Sequence, residues 1–111
     1  MSLVSKSQKI RDALNSVTGL KSYHLMKPAT VTAPYAVWQE DSEGDSNYAD
    51  NVKTEQVLQL TVDYFTKTEY DSTIDSIQDA LNSAGIAWTL NSFQYEDETK
   101  LLHYEWLCKV I

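Results

Sequence analysis

His24 and His103 are the only imidazoles in this 111-residue chain, and Cys108 is its only thiol. With the carboxylates Glu40, Asp41, Glu43, Asp45 and Asp50, they are the residues whose types suit metal binding, nucleophilic attack or cation capture. Their spacing argues against all three. The two histidines are separated by most of the chain, and neither has a second ligand at metal-binding spacing. A zinc or iron centre would require both to converge with carboxylates, so each is expected to be a half-exposed strand residue. Cys108 and His103 lie five residues apart and point to opposite faces of an extended strand, which rejects a Cys–His nucleophile unless a bulge intervenes. The apolar run around Cys108 suits a buried, inert thiol. The carboxylates at 40–45 lack the twelve-residue calcium loop with its closing glutamate, so a solvated loop is expected there. Gly19, Gly44 and Gly85 form no phosphate cradle, and Gly19 and Gly85 fit helix stops. No catalytic, cofactor or metal-binding grouping is expected. The residues point to a protein that works through surfaces and loops.

Composition sets the frame for those surfaces. The length fits one domain, whose folded surface scales to about 6,200 Å². A 42% hydrophobic content with three Trp and seven Tyr fits an ordered globule. A single cysteine excludes an internal disulfide framework. No run reaches the length of a membrane span and no secretory leader is recognisable, so no membrane partner is expected.

The net charge of −7 is unevenly spread. Residues 1–27 hold Lys6, Lys9, Arg11, Lys21 and Lys27 against Asp12 alone, a balance of +4 that leaves −11 on the rest. Between Pro28 and Val52 there is no Lys or Arg, only Glu40, Asp41, Glu43, Asp45 and Asp50. The acidic body disfavours specific nucleic-acid binding, which needs clustered cations. A basic end and an acidic loop could instead attract each other between copies. Lys6, Lys9, Arg11, Glu40, Asp41, Glu43, Asp45 and Asp50 are the candidate contact residues.

Periodicity supplies the elements that position them. Ile10, Ala13, Leu14 and Val17 share one face of a helix over about 5–17, with Ser5 or Ser7 as cap and Gly19 beyond its end. Tyr23–Met26 is a short extended segment ended by Pro28. Tyr35 to Glu40 is a strand, with Tyr35, Val37 and Gln39 facing one way and Ala36 and Trp38 the other. After a flexible acidic loop at about 41–52, a long strand at 55–66 alternates Leu58, Leu60, Val62 and Tyr64 with polar residues. Ile74, Ile77, Leu81 and Ala84 mark a second helix over about 71–84, stopped by Gly85. Strands at 86–95 and 101–110 form a closing hairpin. On the last strand Leu102, Tyr104, Trp106, Cys108 and Val110 share one face, opposite His103, Glu105 and Lys109. Tyr95, Tyr104 and Trp106 could project from this hairpin as a patch for a protein partner. The expectation is a single α+β domain over 1–111: an antiparallel (mixed) sheet with two α-helices packed on one face, in the order α-β-β-β-α-β-β.

Several runs in this order resemble a known family. Ala33-Pro34-Tyr35-Ala36-Val37-Trp38-Gln39-Glu40 precedes the acidic loop. Gln59-Leu60-Thr61-Val62-Asp63-Tyr64-Phe65-Thr66-Lys67 follows it, then Tyr70-Asp71-Ser72 opening a helix, then Tyr95-Glu96-Asp97 before a Leu-His-Tyr strand. Together they resemble the tail-completion, head–tail joining or tail-terminator proteins of long-tailed bacteriophages and prophages. The resemblance covers most of the chain and rests on short words in the right order. It implies a non-enzymatic virion subunit, assembled in the host bacterial cytoplasm as a hexameric ring. That ring would cap the tail tube and meet the head connector, with no cofactor. The alternative is a regulatory, small-molecule-binding module resembling ferredoxin-like domains, which would place a ligand pocket between sheet and helices.

Overall fold

The computed structural model describes residues 2–44 and 47–111. Helix α1 spans Leu3–Asn15 and α2 spans Thr73–Ser83; the strands are β1 Ser22–His24, β2 Tyr35–Glu43, β3 Asn47–Ala49, β4 Val52–Glu55, β5 Leu58–Thr66, β6 Ala87–Glu96 and β7 Leu101–Val110. Five strands make one sheet in the order β1-β2-β5-β7-β6, while β3 and β4 form a separate two-stranded ribbon. All pairings are antiparallel except β1 with β2, which is parallel. The main sheet therefore ends in a three-residue strand at one edge and a ten-residue strand at the other.

Side-chain alternation explains the layering. Ala36 and Trp38 of β2, Leu58, Leu60, Val62 and Tyr64 of β5, and Trp106, Cys108 and Val110 of β7 all point to one face. There they meet Ile10, Ala13 and Leu14 of α1, Ile77 and Leu81 of α2, and Val17 and Ile86 just beyond the helices. Both helices thus cover the same face, and the interior they enclose is filled by these side chains. Ile74 and Tyr104 pack at its margin. The opposite face carries Tyr35, Thr61, Asp63, Phe65, His103 and Glu105 and has no helix over it.

The folded surface is 6718 Å², above the size-scaled ~6,200 Å². The excess reflects an elongated body of 52 × 26 × 24 Å. Among the described residues no helix is long and apolar enough to cross a membrane.

Several details correct the sequence reading. Two short strands, β3 and β4, stand between the predicted strands, and β2 continues through Asp41 and Ser42 to Glu43. A register shift between Glu40 and Ser42 absorbs one residue there, which lets the chain keep pairing with β5 where polarity alone suggested a loop. The expected 55–66 strand is divided, because Gln56 and Val57 separate β4 from β5. α1 starts earlier than expected: Ser2 caps it, its side chain accepting from the Ser5 backbone N–H at 3.2 Å. The segment after Lys21 leaves the strand beyond His24, before Met26: the Leu25 N–H makes a last bond to Trp38 O at 2.8 Å, and its left-handed φ of 73° then turns the chain away. This mixed order, opening with a helix and a parallel strand pair, also differs from the ferredoxin-like β-α-β-β-α-β arrangement.

Gly85 is the stop that the sequence suggested. Its φ is +71°, and the following Ile86 N–H reaches back to Leu81 O at 3.0 Å. At the other end of α2, Ser72 occupies the cap position without a side-chain cap bond, and Asp71 Oδ1 accepts from the Thr73 N–H at 2.9 Å instead.

Candidate assembly surfaces

The basic helix and the acidic strand lie side by side in the same subunit. Ser7 of α1 donates to Glu40 Oε2 at 3.0 Å, and Glu40 Oε1 lies 2.5 Å from His24 Nε2. The His24 ring stacks on Trp38 with centroids 4.0 Å apart, so one carboxylate joins α1, β1 and β2. Burial pushes the Glu40 carboxyl up, but hydrogen bonds from His24, its own backbone and Ser7 outweigh it and hold the group below its ordinary value. An open groove of about 630 Å³ runs between α1 and β1–β2, with Ser7, Arg11, His24 and Glu40 on its walls.

The other candidate contact residues divide into engaged and free. Asp41 accepts hydrogen bonds from Thr61 and, at 3.4 Å, from Gln39 Nε2. Glu43 pairs with Lys53 of β4, a cation of the short ribbon that follows the Lys-free stretch. Arg11 pairs with its neighbour Asp12 at 2.9 Å. The side chains of Lys6, Lys9 and Asp50 make no hydrogen bond or ion pair among the described residues; Lys9 and Asp50 are exposed, and Lys6 is half-buried. Asp50 sits in the β3–β4 turn at a φ of 51°. Asp45 lies outside the described residues.

The last hairpin offers a different surface from the one expected. Trp106 is 0% exposed and donates its indole N–H to Gln78 Oε1 at 3.0 Å, so it belongs to the core and not to a projecting patch. The reason is its alternation with Leu107, which puts it under α2. Tyr104 is half-buried, its ring 4.4 Å from that of Phe93. Phe93 faces it because a register shift between Leu90 and Ser92 moves β6 by one residue. Regular alternation from Trp88 and Leu90 would put Ser92 on their face; the bulge puts Phe93 there instead. Leu90, Phe93 and Tyr95 are left 42%, 55% and 53% exposed along the free edge strand.

On the uncovered sheet face, Tyr35, Phe65 and His103 stack in a row, with centroids 5.0 Å and 4.2 Å apart. His103 Nε2 lies 2.7 Å from Asp63 Oδ1, and Asp63 stands directly opposite Glu105 in the β5–β7 register. Burial first, and then the Glu105 carboxylate, push the Asp63 carboxyl up against the opposing pull of His103. Asn91, at the β6 bulge, donates to Glu105 Oε1 at 2.7 Å. Sequence reasoning looked for the two histidines to converge and so missed this grouping. Its only linear signal was that polar Asp63, His103 and Glu105 occupy the wet positions of two long strands.

Neither a protein-family model nor a curated protein sequence matches this chain. Among solved structures, one chain of the "Virion of native gene transfer agent (GTA) particle" superposes with a TM-score of 0.61 at 11% identity. The match covers 95% of this chain and 89% of that one. The two chains share a fold. The likeness thus extends over both helices and the sheet, well beyond a single shared motif.

Proposed function

We propose that this protein is a non-enzymatic structural subunit of a phage or prophage virion, a tail-completion or tail-terminator protein. In this reading its copies form a ring, a hexamer in the assembled particle, at the end of the tail tube, and join that tube to the head connector. The fold shared with a virion chain over 95% of the length is the observation that carries it. The family-like runs at 33–40, 59–67, 70–72 and 95–97 point the same way. A ring needs a heterologous contact, in which one patch meets a different patch on the next copy. The free cations Lys6 and Lys9, with Arg11 beside them, supply one patch. Asp50, in the β3–β4 turn, supplies the other, while Glu40, Asp41 and Glu43 line the preceding strand β2, and Glu43 pairs with Lys53 of the ribbon that carries the turn. Complementation tests this role: a phage lacking the gene should make heads and tails that fail to join, or tails of uncontrolled length. The wild-type gene should restore infectious particles. Normal particles from the deletion strain would overturn the proposal.

A further inference from the structure

Three carboxylates crowd one imidazole on the uncovered face of the sheet. Asp63 and Glu105 are direct cross-strand partners, and His103 precedes Glu105 by two residues on the same side of β7. Like charges directly opposed on neighbouring strands destabilise a sheet unless something positive is shared between them. No Lys or Arg side chain makes an ion pair with either carboxylate among the described residues. The His103 side chain is only 14% exposed, and its ring is clamped against Phe65. Its Nε2 points at Asp63, while Nδ1 is enclosed, with Glu96 Oε2 at 3.3 Å. That last contact lacks hydrogen-bond geometry and acts through charge alone, so Nδ1 has no hydrogen-bond partner.

We propose that Asp63, His103 and Glu105 form a binding site for a divalent transition-metal ion of the zinc class. One atom from each, an imidazole nitrogen of His103 and a carboxylate oxygen from the other two, lies within 4.8 Å of the others, close enough to converge on one ion after small rotations. The mixed nitrogen and oxygen set selects zinc-like ions over magnesium and calcium, which prefer oxygen alone. Asn91, outside the set, steadies it by holding Glu105. Three protein ligands leave a further coordination position for water. The ion would neutralise the opposed pair and tie β5 to β7 at the middle of the sheet.

The site does not depend on the ring assignment and is tested on the isolated chain. Metal-stripped protein titrated calorimetrically with zinc chloride should bind one equivalent and melt at a higher temperature. Asp63→Asn, His103→Gln and Glu105→Gln should each weaken binding by about tenfold or more, and Asn91→Ala by about tenfold. His24→Gln should leave it unchanged. Should a ligand variant fail to fold, the wild type still decides the matter through manganese titration followed by NMR. Resonances of residues 61–65 and 103–107 should broaden first. Unsaturable binding, binding unaffected by the three ligand substitutions, or broadening centred on His24 and Glu40 would overturn the proposal.

Discussion

The Tyr64 hydroxyl donates to Asp71 Oδ2 across 2.7 Å, tying the end of the central strand to the start of α2. The same oxygen accepts from Thr66 Oγ1 at 2.7 Å, and Oδ1 takes the Thr73 backbone N–H at 2.9 Å. Burial, followed by the Asp71 charge at the end of this bond, pushes the Tyr64 hydroxyl up to about 12, so it remains a donor. Replacing Asp71 with Ala removes a helix cap and strands two donors, one of them on fully buried Thr66. The expected loss is about 1–3 kcal/mol in urea unfolding, with an unchanged slope. A midpoint equal to wild type would show that the junction is held by packing alone.

Asp71 also sets an acid limit. Burial pushes its carboxyl up, but the bonds from Tyr64, the Thr73 backbone and Thr66 outweigh this, so its folded pKa lies below the ordinary value. A depressed carboxylate contributes stability that is fully present above its unfolded pKa and is lost as pH falls through the folded one. Glu40 acts in the same sense. These two groups should make stability decline below about pH 4, against the opposite contribution of Asp63, whose raised carboxyl favours the folded state as pH falls, and Asp71→Asn should flatten the decline. Unfolding midpoints measured from pH 7 to pH 2 check this.

Leu60 and Ile77 face each other's layer from the sheet and from α2, at 1% and 0% exposure. Truncating either to Ala should cost about 2–5 kcal/mol. Thermal melts unchanged by both substitutions would contradict the placement of the helices.

Cys108 should resist thiol reagents. Burial first, and the Asp41 charge second, push its thiol up to about 12, and the residue is 1% exposed. Native protein should leave an aromatic disulfide probe unreacted for hours, while denatured protein should release one equivalent of its thiolate at once. Fast labelling of the native chain would mean that β7 opens readily.

If charge contributes to ring closure, reversing Lys6, Lys9 and Arg11 to Glu should weaken self-association, and raised salt should weaken that of the wild type. The change should be modest, at about 0–1 kcal/mol per exposed pair. Light scattering across a salt series measures it, and an assembly unaffected by both treatments would remove charge from the account.

The layers were legible because burial enforces period. Leu58 to Tyr64 must alternate to face one side, and Ile74, Ile77 and Leu81 must recur at helical spacing. What stayed hidden was register. Nothing local to Asp63 announces that Glu105, 42 positions later, stands opposite it, or that Asn91 bulges toward it. The parallel partnership of β1 with β2 was hidden for the same reason: Ser22 to His24 carry too few residues to signal a partner. Polarity misled at 41–43, where Asp41, Ser42 and Glu43 look like loop residues, but Ser42 and Glu43 pair with Gln59 and Leu58 of β5 on the far side of the Asp41 bulge. The candidate contact residues were legible as charges only, since whether each is already spoken for within the subunit depends on the fold.

The unequal edges of the main sheet bear on how safely the chain can be stored at high concentration. A fibril grows when each added copy leaves behind an edge as good as the one it consumed. Here two copies joining through β6 would use up both ten-residue edges and present on either flank only the three-residue β1 and the short, acidic end of β2 that runs past it. Growth through that sheet is self-terminating, with no proline or lysine gatekeeper required on β6 to stop it.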